Sequence, residues 1–291
     1  MTLVNTTEML EKARAEKYAV GAFNIVNLDM VRAIISAAEK ENSPVIIQFA
    51  EVHEQFVPLE VIAPIMVREA ERASVPVAVH LDHGNTYEYI VRAMHLGFTS
   101  VMIDGAAFPF EENVEVTKEI VKVAHALNVS VESELGAMLN SDTSTEKSDE
   151  EIDPDQIFTD PTMARDFVEA TDTDILAISF GTVHGIPLAE PNLDFERLQA
   201  IADSTPVPLV MHGGSGLAVD EYKNAVKRGV SKINYYSDMA YKTSVKINDK
   251  MNTMIEAGGK PFLNDLLDWT LEFVEEEVST RMKDFNSSGK A

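Results

Sequence analysis

The chain has 291 residues with 24 basic and 48 acidic side chains, 7 His and no Cys, giving a formal net charge of −24 at neutral pH. That balance excludes the basic footprint that nucleic-acid binders and proteins coating anionic lipid require. The absence of Cys excludes disulfide scaffolds, zinc ribbons, iron–sulfur clusters and thiol nucleophiles, so any metal must sit on His, Asp or Glu.

Hydrophobic residues at 45% and charged residues at 25% are ordinary globular values, unlike those of a disordered acidic chain. The start, MTLVNTTEM, has no basic n-region and no apolar h-region, and no later stretch reaches the roughly 20 apolar residues of a membrane span. A cytoplasmic protein with no nucleic-acid or membrane partner is expected, its acidity serving solubility or mild salt tolerance rather than extreme halophily. The charge is uneven: residues 142–160 hold eight acids and one Lys, and residues 265–277 hold six acids and no base, together 13 of the 24 excess negative charges.

In chain order, short β-rich runs occur at Val20–Ile25 (VGAFNI), Val45–Ala50 (VIIQFA), Val75–Asp82 (VPVAVHLD), Ser100–Gly105 (SVMIDG), Val129–Leu135 (VSVESEL), Ile175–Gly181 (ILAISFG), Pro208–Gly213 (PLVMHG) and Lys232–Ser237 (KINYYS). Segments such as Asp29–Glu41, Leu59–Ala73 and Glu111–Leu127 lie between them, with apolar residues at helical spacing. Strands nearly continuous in Val and Ile, alternating with helices, predict a parallel sheet covered on its outside. Eight such units in about 250 residues match an α/β (β/α)₈ TIM barrel. A doubly wound sheet is the weaker reading, because the first turn, Phe23-Asn24-Ile25-Val26-Asn27, is not Gly-rich.

Residues 1–291 read as a single domain. Two extra C-terminal helices follow the eighth strand, Asp238–Glu256 and Pro261–Asp284. The polar, acidic connection at 137–157 has no periodicity of its own, which predicts a mobile or disordered active-site loop.

In such barrels chemistry sits at the C-terminal ends of the strands. The polar residues there are Asn24, Gln48 with Glu51, Asp82 with His83, Asp104, Glu132 with Glu134, His184, His212 and Asn234. His83 (HLDHG), His184 (GTVHG) and His212 (MHGGSG) come from separate strand ends, each beside Gly, a pattern suited to a catalytic divalent metal such as Zn²⁺. His53, His80, His95 and His125 lack this placement, although His80 lies near enough to Asp82 to support the site from behind.

Asp82 suits a general acid/base; orienting a His is its blander alternative. Asp104 and Glu134 offer an alternative metal position or could orient the ligands, and by period two Glu132 and Glu134 share a face. Gly213-Gly214-Ser215-Gly216, with Ser237 after the last strand, offers backbone N–H groups and hydroxyls for phosphate. A Schiff-base mechanism is disfavoured, because the sixth run has no Lys and Lys232 stands at the far end of its strand.

Taken together, VGAFN (20–24), HLDHG (80–84), SVMID (100–104), SVESELG (130–136), GTVHG (181–185), LVMHGGSG (209–216), KIN (232–234) and the tail SSGKA (287–291) resemble the class II ketose-bisphosphate aldolases. The resemblance spans essentially the whole chain and is nearest to the tagatose-bisphosphate and short fructose-bisphosphate branch. It implies reversible retro-aldol cleavage of a phosphorylated ketose to dihydroxyacetone phosphate and an aldehyde. It further implies Zn²⁺ (or Co²⁺ or Mn²⁺) on His83, His184 and His212, proton transfer at the C4 hydroxyl by Asp82, and phosphate on Gly185, Gly213, Ser215 and Ser237. Asn24 and Asn234 would then contact substrate, with Asn234 near the ketone. A monovalent cation and a homodimer or homotetramer are also in keeping with the family.

Four departures concern the substrate. Ala50 replaces a hydroxyl residue, and Tyr236 stands where a small or acidic residue is usual, facing the site by period two. The loop after Gly136 lacks the family's paired Gly and Glu-Asp, leaving Asp142 as the catalytic base for the C3 proton, with Glu146 and Glu150 as rivals. Glu275 occupies the place of an Arg that reaches a distal phosphate, and Arg281 or Lys283 is the residue that could fill in. A ketose phosphorylated at C1 alone is therefore expected. The alternatives are a fructose- or tagatose-1,6-bisphosphate aldolase proper, another three-His metal-dependent barrel enzyme, or a non-catalytic sugar-phosphate binder.

Overall fold

A computed structural model describes residues 2–136, 139–140, 157–186 and 191–291. Its strands β1 (Val20–Asn24), β2 (Val45–Ala50), β3 (Val77–Gly84), β4 (Ser100–Ile103), β5 (Ser130–Leu135), β7 (Ile175–Ile178), β9 (Leu209–Met211) and β10 (Val230–Tyr235) are the eight expected runs, with ends shifted by a few residues. All pair in parallel and close in the order β1-β10-β9-β7-β5-β4-β3-β2, the (β/α)₈ barrel. Two short strands, β6 (Leu139–Asn140) and β8 (Val183–His184), form a separate parallel pair that the sequence did not signal.

Helices α2 (Leu28–Glu41), α3 (Leu59–Arg72), α4 (Tyr87–His95), α5 (Phe110–Ala126), α6 (Pro161–Thr171), α7 (Phe195–Ser204) and α8 (Val219–Lys227) cover the outside of the sheet. The terminal helices α9 (Ser237–Glu256) and α10 (Leu263–Asp284) pack on each other, and α10 lies along α2. Among the described residues, no helix is long and apolar enough to cross a membrane.

The apolar residues divide between two cores. The larger lies between the sheet and the helices; the smaller fills the lower interior of the barrel with Val20, Ala22, Ile46, Ala78, Ile175, Ala177 and Val210. Two residues further along the same strand faces stand Asn24, Gln48, His80 and His212, so the interior changes from apolar to polar within one strand period. An unforeseen helix, α1 (Thr7–Glu16), closes the lower end by inserting Met9, Leu10 and Ala13 into the inner core. Its few apolar residues leave a faint sequence signal, yet Leu10 is fully buried. Leu10→Ala should therefore lower unfolding stability by about 2–5 kcal/mol, read from urea denaturation midpoints, without altering turnover under native conditions.

Candidate active site

Asp82 and His83 are adjacent, and in a regular strand their side chains would leave on opposite faces. β3 avoids this by a register irregularity between Leu81 and Gly84, with His83 in the left-handed region at φ 48°. Both side chains thereby line the same cavity. Gly84 permits the kink, because a Cβ there would lie 2.5 Å from the Ile90 side chain and 2.6 Å from the Met102 carbonyl.

His83, His184 and His212 converge as expected, with ligand atoms all within 4.8 Å of one another. Carboxylates fix two of the rings: Asp104 Oδ2 accepts from His83 Nδ1 at 2.9 Å, and Glu132 Oε1 accepts from His212 Nε2 at 2.7 Å. The nitrogens left over, His83 Nε2 and His212 Nδ1, face each other at 3.1 Å. Two lone pairs at that distance need a proton or cation between them. Tetrahedral Zn²⁺ with Zn–N near 2.0 Å separates its ligand nitrogens by about 3.3 Å, so the residues present fit such an ion.

Burial and neighbouring charge move two of the rings in opposite directions. Burial opposes the charge on His83, but Asp82 and the hydrogen bond to Asp104 outweigh it and push the ring up to about 10. Burial and the two neighbouring imidazoles push His184 down to about 3. Glu134 is pushed up to about 7 by burial, and its Oε2, like Asn234 Oδ1, is buried without a partner. His83, Asp104 and Glu134 form a second group with ligand spacing, sharing His83 with the first.

Asp82 is 4% exposed and accepts from Asn24 Nδ2 at 2.8 Å and Asn234 Nδ2 at 3.0 Å, while Gln48 Nε2 donates to Asn24 Oδ1 at 2.7 Å. Burial alone would raise its pKa, but His83, His212, Lys232 and the Asn24 amide hold it well below the usual carboxylate range. It is an ionised, oriented carboxylate beside the three rings.

Beneath the site lies a buried polar line that sequence reasoning resolved only in part. Lys232 is fully buried and donates to Glu132 Oε2 at 2.7 Å, with His80 Nε2 3.5 Å away. His80 Nδ1 meets Ser100 Oγ at 2.8 Å, and Thr6 Oγ1 lies 3.1 Å from Ser100 Oγ and 2.6 Å from Ser130 Oγ. Lys232 thus stands below the reactive rim as expected, but as the partner of Glu132. Period two from Asn234 was the signal available.

At the cavity mouth, Gly185, Gly213, Gly214, Ser215 and Ser237 come together, the last at the start of α9. Gly213 has φ +62°, and a Cβ on it would collide with the Val183 carbonyl. The cavity measures about 490 Å³ and, among the described residues, has no Lys or Arg in its lining. Asn24, Ala50, Asn234, Tyr236 and His53 also line it; the sequence had not marked His53.

Glu275, expected near a distal phosphate, lies outside the cavity against α2, bonded to Ser36 Oγ at 2.6 Å and to Lys40. The acids around it are likewise paired, Glu272 with Lys250, Glu276 with Lys246 and Glu277 with Lys242 and Arg281. Arg281 is held over Tyr235 and Tyr222, and Lys283 pairs with Glu41. Asp142, Glu146 and Glu150 lie outside the described residues, as does nearly all of the 137–157 connection.

Residues 4–290 match the family described as fructose-bisphosphate aldolase class-II. The chain is 39% identical over 297 residues to the "Probable fructose-bisphosphate aldolase" of Bacillus subtilis (strain 168), covering all of both chains. It is 37% identical over 297 residues to the fructose-bisphosphate aldolase of Geobacillus stearothermophilus, covering 100% of this chain and 99% of the relative. Among solved structures it resembles the YdjI aldolase from Escherichia coli K12 (TM-score 0.87, 35% identity, 99% of each chain). A second is the putative fructose-1,6-biphosphate aldolase from Coccidioides immitis (TM-score 0.82, 30% identity, 97% of this chain and 96% of that one).

The Lys232–Glu132 pair makes a separable test. Lys232→Met leaves a carboxylate buried without its cation and should cost about 3–5 kcal/mol in urea unfolding. The double variant with Glu132→Gln should cost clearly less than the sum of the two single changes; simple additivity would show that the groups are not coupled.

Proposed function

The chain belongs to the class II fructose-bisphosphate aldolase family and is a lyase, and we propose that it cleaves a ketose phosphorylated at C1 alone into dihydroxyacetone phosphate and an uncharged aldehyde. The observation that carries this reading is the cavity lining: one cradle of glycines and hydroxyls suits one phosphate, and no Lys or Arg among the described lining residues serves a second. A distal phosphate would need charge-assisted donors. A second reading, cleavage of a 1,6-bisphosphate, is favoured by the names of the relatives.

His83, His184 and His212 would hold the metal, Zn²⁺ with Co²⁺ or Mn²⁺ as substitutes. When bound, such an ion supplies a Lewis acid that polarises the ketone and stabilises the negative charge left as C3–C4 breaks. The chain's own groups do the rest. Backbone N–H groups of the Gly213–Ser215 turn and Gly185, with the Ser215 and Ser237 hydroxyls, anchor the C1 phosphate. Asn234 orients the ketone end.

Asp82 takes the proton of the C4 hydroxyl; the C3–C4 electron pair stays on C3, and C4 leaves as the aldehyde carbonyl. C3 then receives a proton from an acid of the 137–157 connection, for which Asp142 is the candidate. In condensation the same groups act in reverse, and the ionised state of Asp82 is the one that cleavage requires.

Retro-aldol assays that detect dihydroxyacetone phosphate decide the substrate. Ketose 1-phosphates should be cleaved with a kcat/KM well above that for fructose or tagatose 1,6-bisphosphate. A bisphosphate kcat/KM of about 10⁴ M⁻¹s⁻¹ or more would overturn the one-phosphate reading. Asp82→Ala should keep its metal stoichiometry while kcat falls by about 10²–10⁴. Chelation with EDTA should abolish turnover in the wild type, and Zn²⁺ should restore it.

A further inference from the structure

Building on the one-phosphate reading, we propose that His53 and Tyr236 form the subsite that selects the aldehyde, the polar atoms of the two touching rings gripping a hydroxyl of an uncharged hydroxyaldehyde. The argument begins with where the aldehyde half of the substrate must lie. C4 is reached by Asp82, and Asp82 is the register partner of Ala50, the last residue of β2. The chain turns directly from Ala50 into a short 3₁₀ helix, Glu51–Gln55, whose buried member is His53. The carbons beyond C4 can therefore reach this corner of the cavity.

The two rings meet there. His53 and Tyr236 have centroids 4.8 Å apart at an interplanar angle of 49°, and Phe49 and Phe56 brace His53 at 6.2 and 6.1 Å. Both His53 and Tyr236 line the cavity, with Ala50 and Val52 providing apolar contact beside them. His53 is only 7% exposed, yet its Nδ1 is buried without a partner. A buried polar atom left unpaired costs about 1–3 kcal/mol, and a rotation of the ring that turns Nδ1 to the cavity lets a substrate hydroxyl supply the missing hydrogen bond. Nothing in the proton transfers at C3 or C4 uses either ring.

Charge decides between a hydroxyl and a phosphate. Burial lowers the pKa of His53, with Asp82 opposing, so the ring is neutral where it meets the substrate. Asp82 brings a carboxylate to the same cavity. A phosphate there would lack a cationic partner and face that carboxylate, whereas a hydroxyl can donate to a neutral imidazole and accept from a phenol.

The test is the condensation direction, with dihydroxyacetone phosphate and three aldehydes: glyceraldehyde, propionaldehyde and glyceraldehyde 3-phosphate. The metal-loaded wild type should prefer glyceraldehyde to both others by about tenfold or more in kcat/KM. His53→Phe keeps the packing and removes the nitrogens; it should erase the preference over propionaldehyde through the aldehyde KM. His53→Gln should recover part of it, and Tyr236→Phe should weaken it by a smaller factor.

A wild-type preference for glyceraldehyde 3-phosphate overturns the inference. So does an equal effect of the substitutions on glyceraldehyde and propionaldehyde, or no effect on either. Solvent exchange of the C3 proton of dihydroxyacetone phosphate, measured on the wild type without aldehyde, separates this from the parent reading. Exchange with unselective aldehydes sinks the subsite alone, whereas no exchange removes the aldolase reading and the subsite with it.

Discussion

An ammonium and a carboxylate lie side by side in the middle of the barrel, and the order of the site follows from them. Lys232 and Glu132 are both fully buried, a placement tolerable only if each charge is paired and its remaining valences are met. Lys232 can only donate, so Glu132 accepts one hydrogen bond from it and, through its other oxygen, one from His212 Nε2. That choice leaves His212 Nδ1 with its lone pair towards His83. On the other side, a donating Lys232 makes His80 Nε2 an acceptor, so His80 Nδ1 donates to Ser100 and the hydroxyl line to Thr6 is ordered in turn. Burial and the adjacent Lys232 push His80 down to about 3, keeping it in the neutral form this direction requires. One ion pair thereby sets the tautomer of a ring in the site and ties it to the floor of the barrel.

The net charge of −24 looks unsuited to an anionic sugar phosphate. Most of the acidic residues of α10 spend their charge elsewhere, on Lys250, Lys246, Lys242 and Lys40 on the outer surface. Such exposed pairs contribute little to stability, and they do neutralise the surface locally. Inside the cavity, attraction for an anion must come from the Gly213–Ser215 backbone, the start of α9 and a cation on the three His. Those sources are all that the described lining offers an anion, and the proposed preference for a single phosphate rests on that.

The barrel was legible because its strands are continuous apolar runs and its helices keep their spacing. Period two then carried the reading into the site: Ala22 to Asn24, Ile46 to Gln48 and Val210 to His212 each run from core to rim on one face. The three His could be joined because all stand at strand ends beside Gly. α1 was not legible, since Met9, Leu10 and Ala13 are too few to make a pattern and bury themselves only once a barrel exists below them. His53 was missed because it follows its strand in a 3₁₀ turn, where neither helical nor strand periodicity tells which way a side chain points. Glu275 stands outside this chain's own cavity, unforeseen for a related reason: a position along a terminal helix does not say which face of that helix meets the cavity.

The kink in β3 is the remaining step between fold and chemistry. A left-handed residue other than Gly carries strain of order 1–3 kcal/mol, and His83 bears it at the point where two adjacent residues must both enter the site. The alternative, a regular strand, would send either the ring or the carboxylate of Asp82 into the apolar layer behind it. Two contacts hold the strained form: Asp104 accepts a hydrogen bond from His83 Nδ1, and Gly84 lets the backbone close on Ile90 and Met102. Asp82 is then steadied by the Asn24 and Asn234 amides, its Oδ1 3.9 Å from His83 Nε2. One distorted strand thus brings the carboxylate and the ring side by side, the two halves of the proposed chemistry.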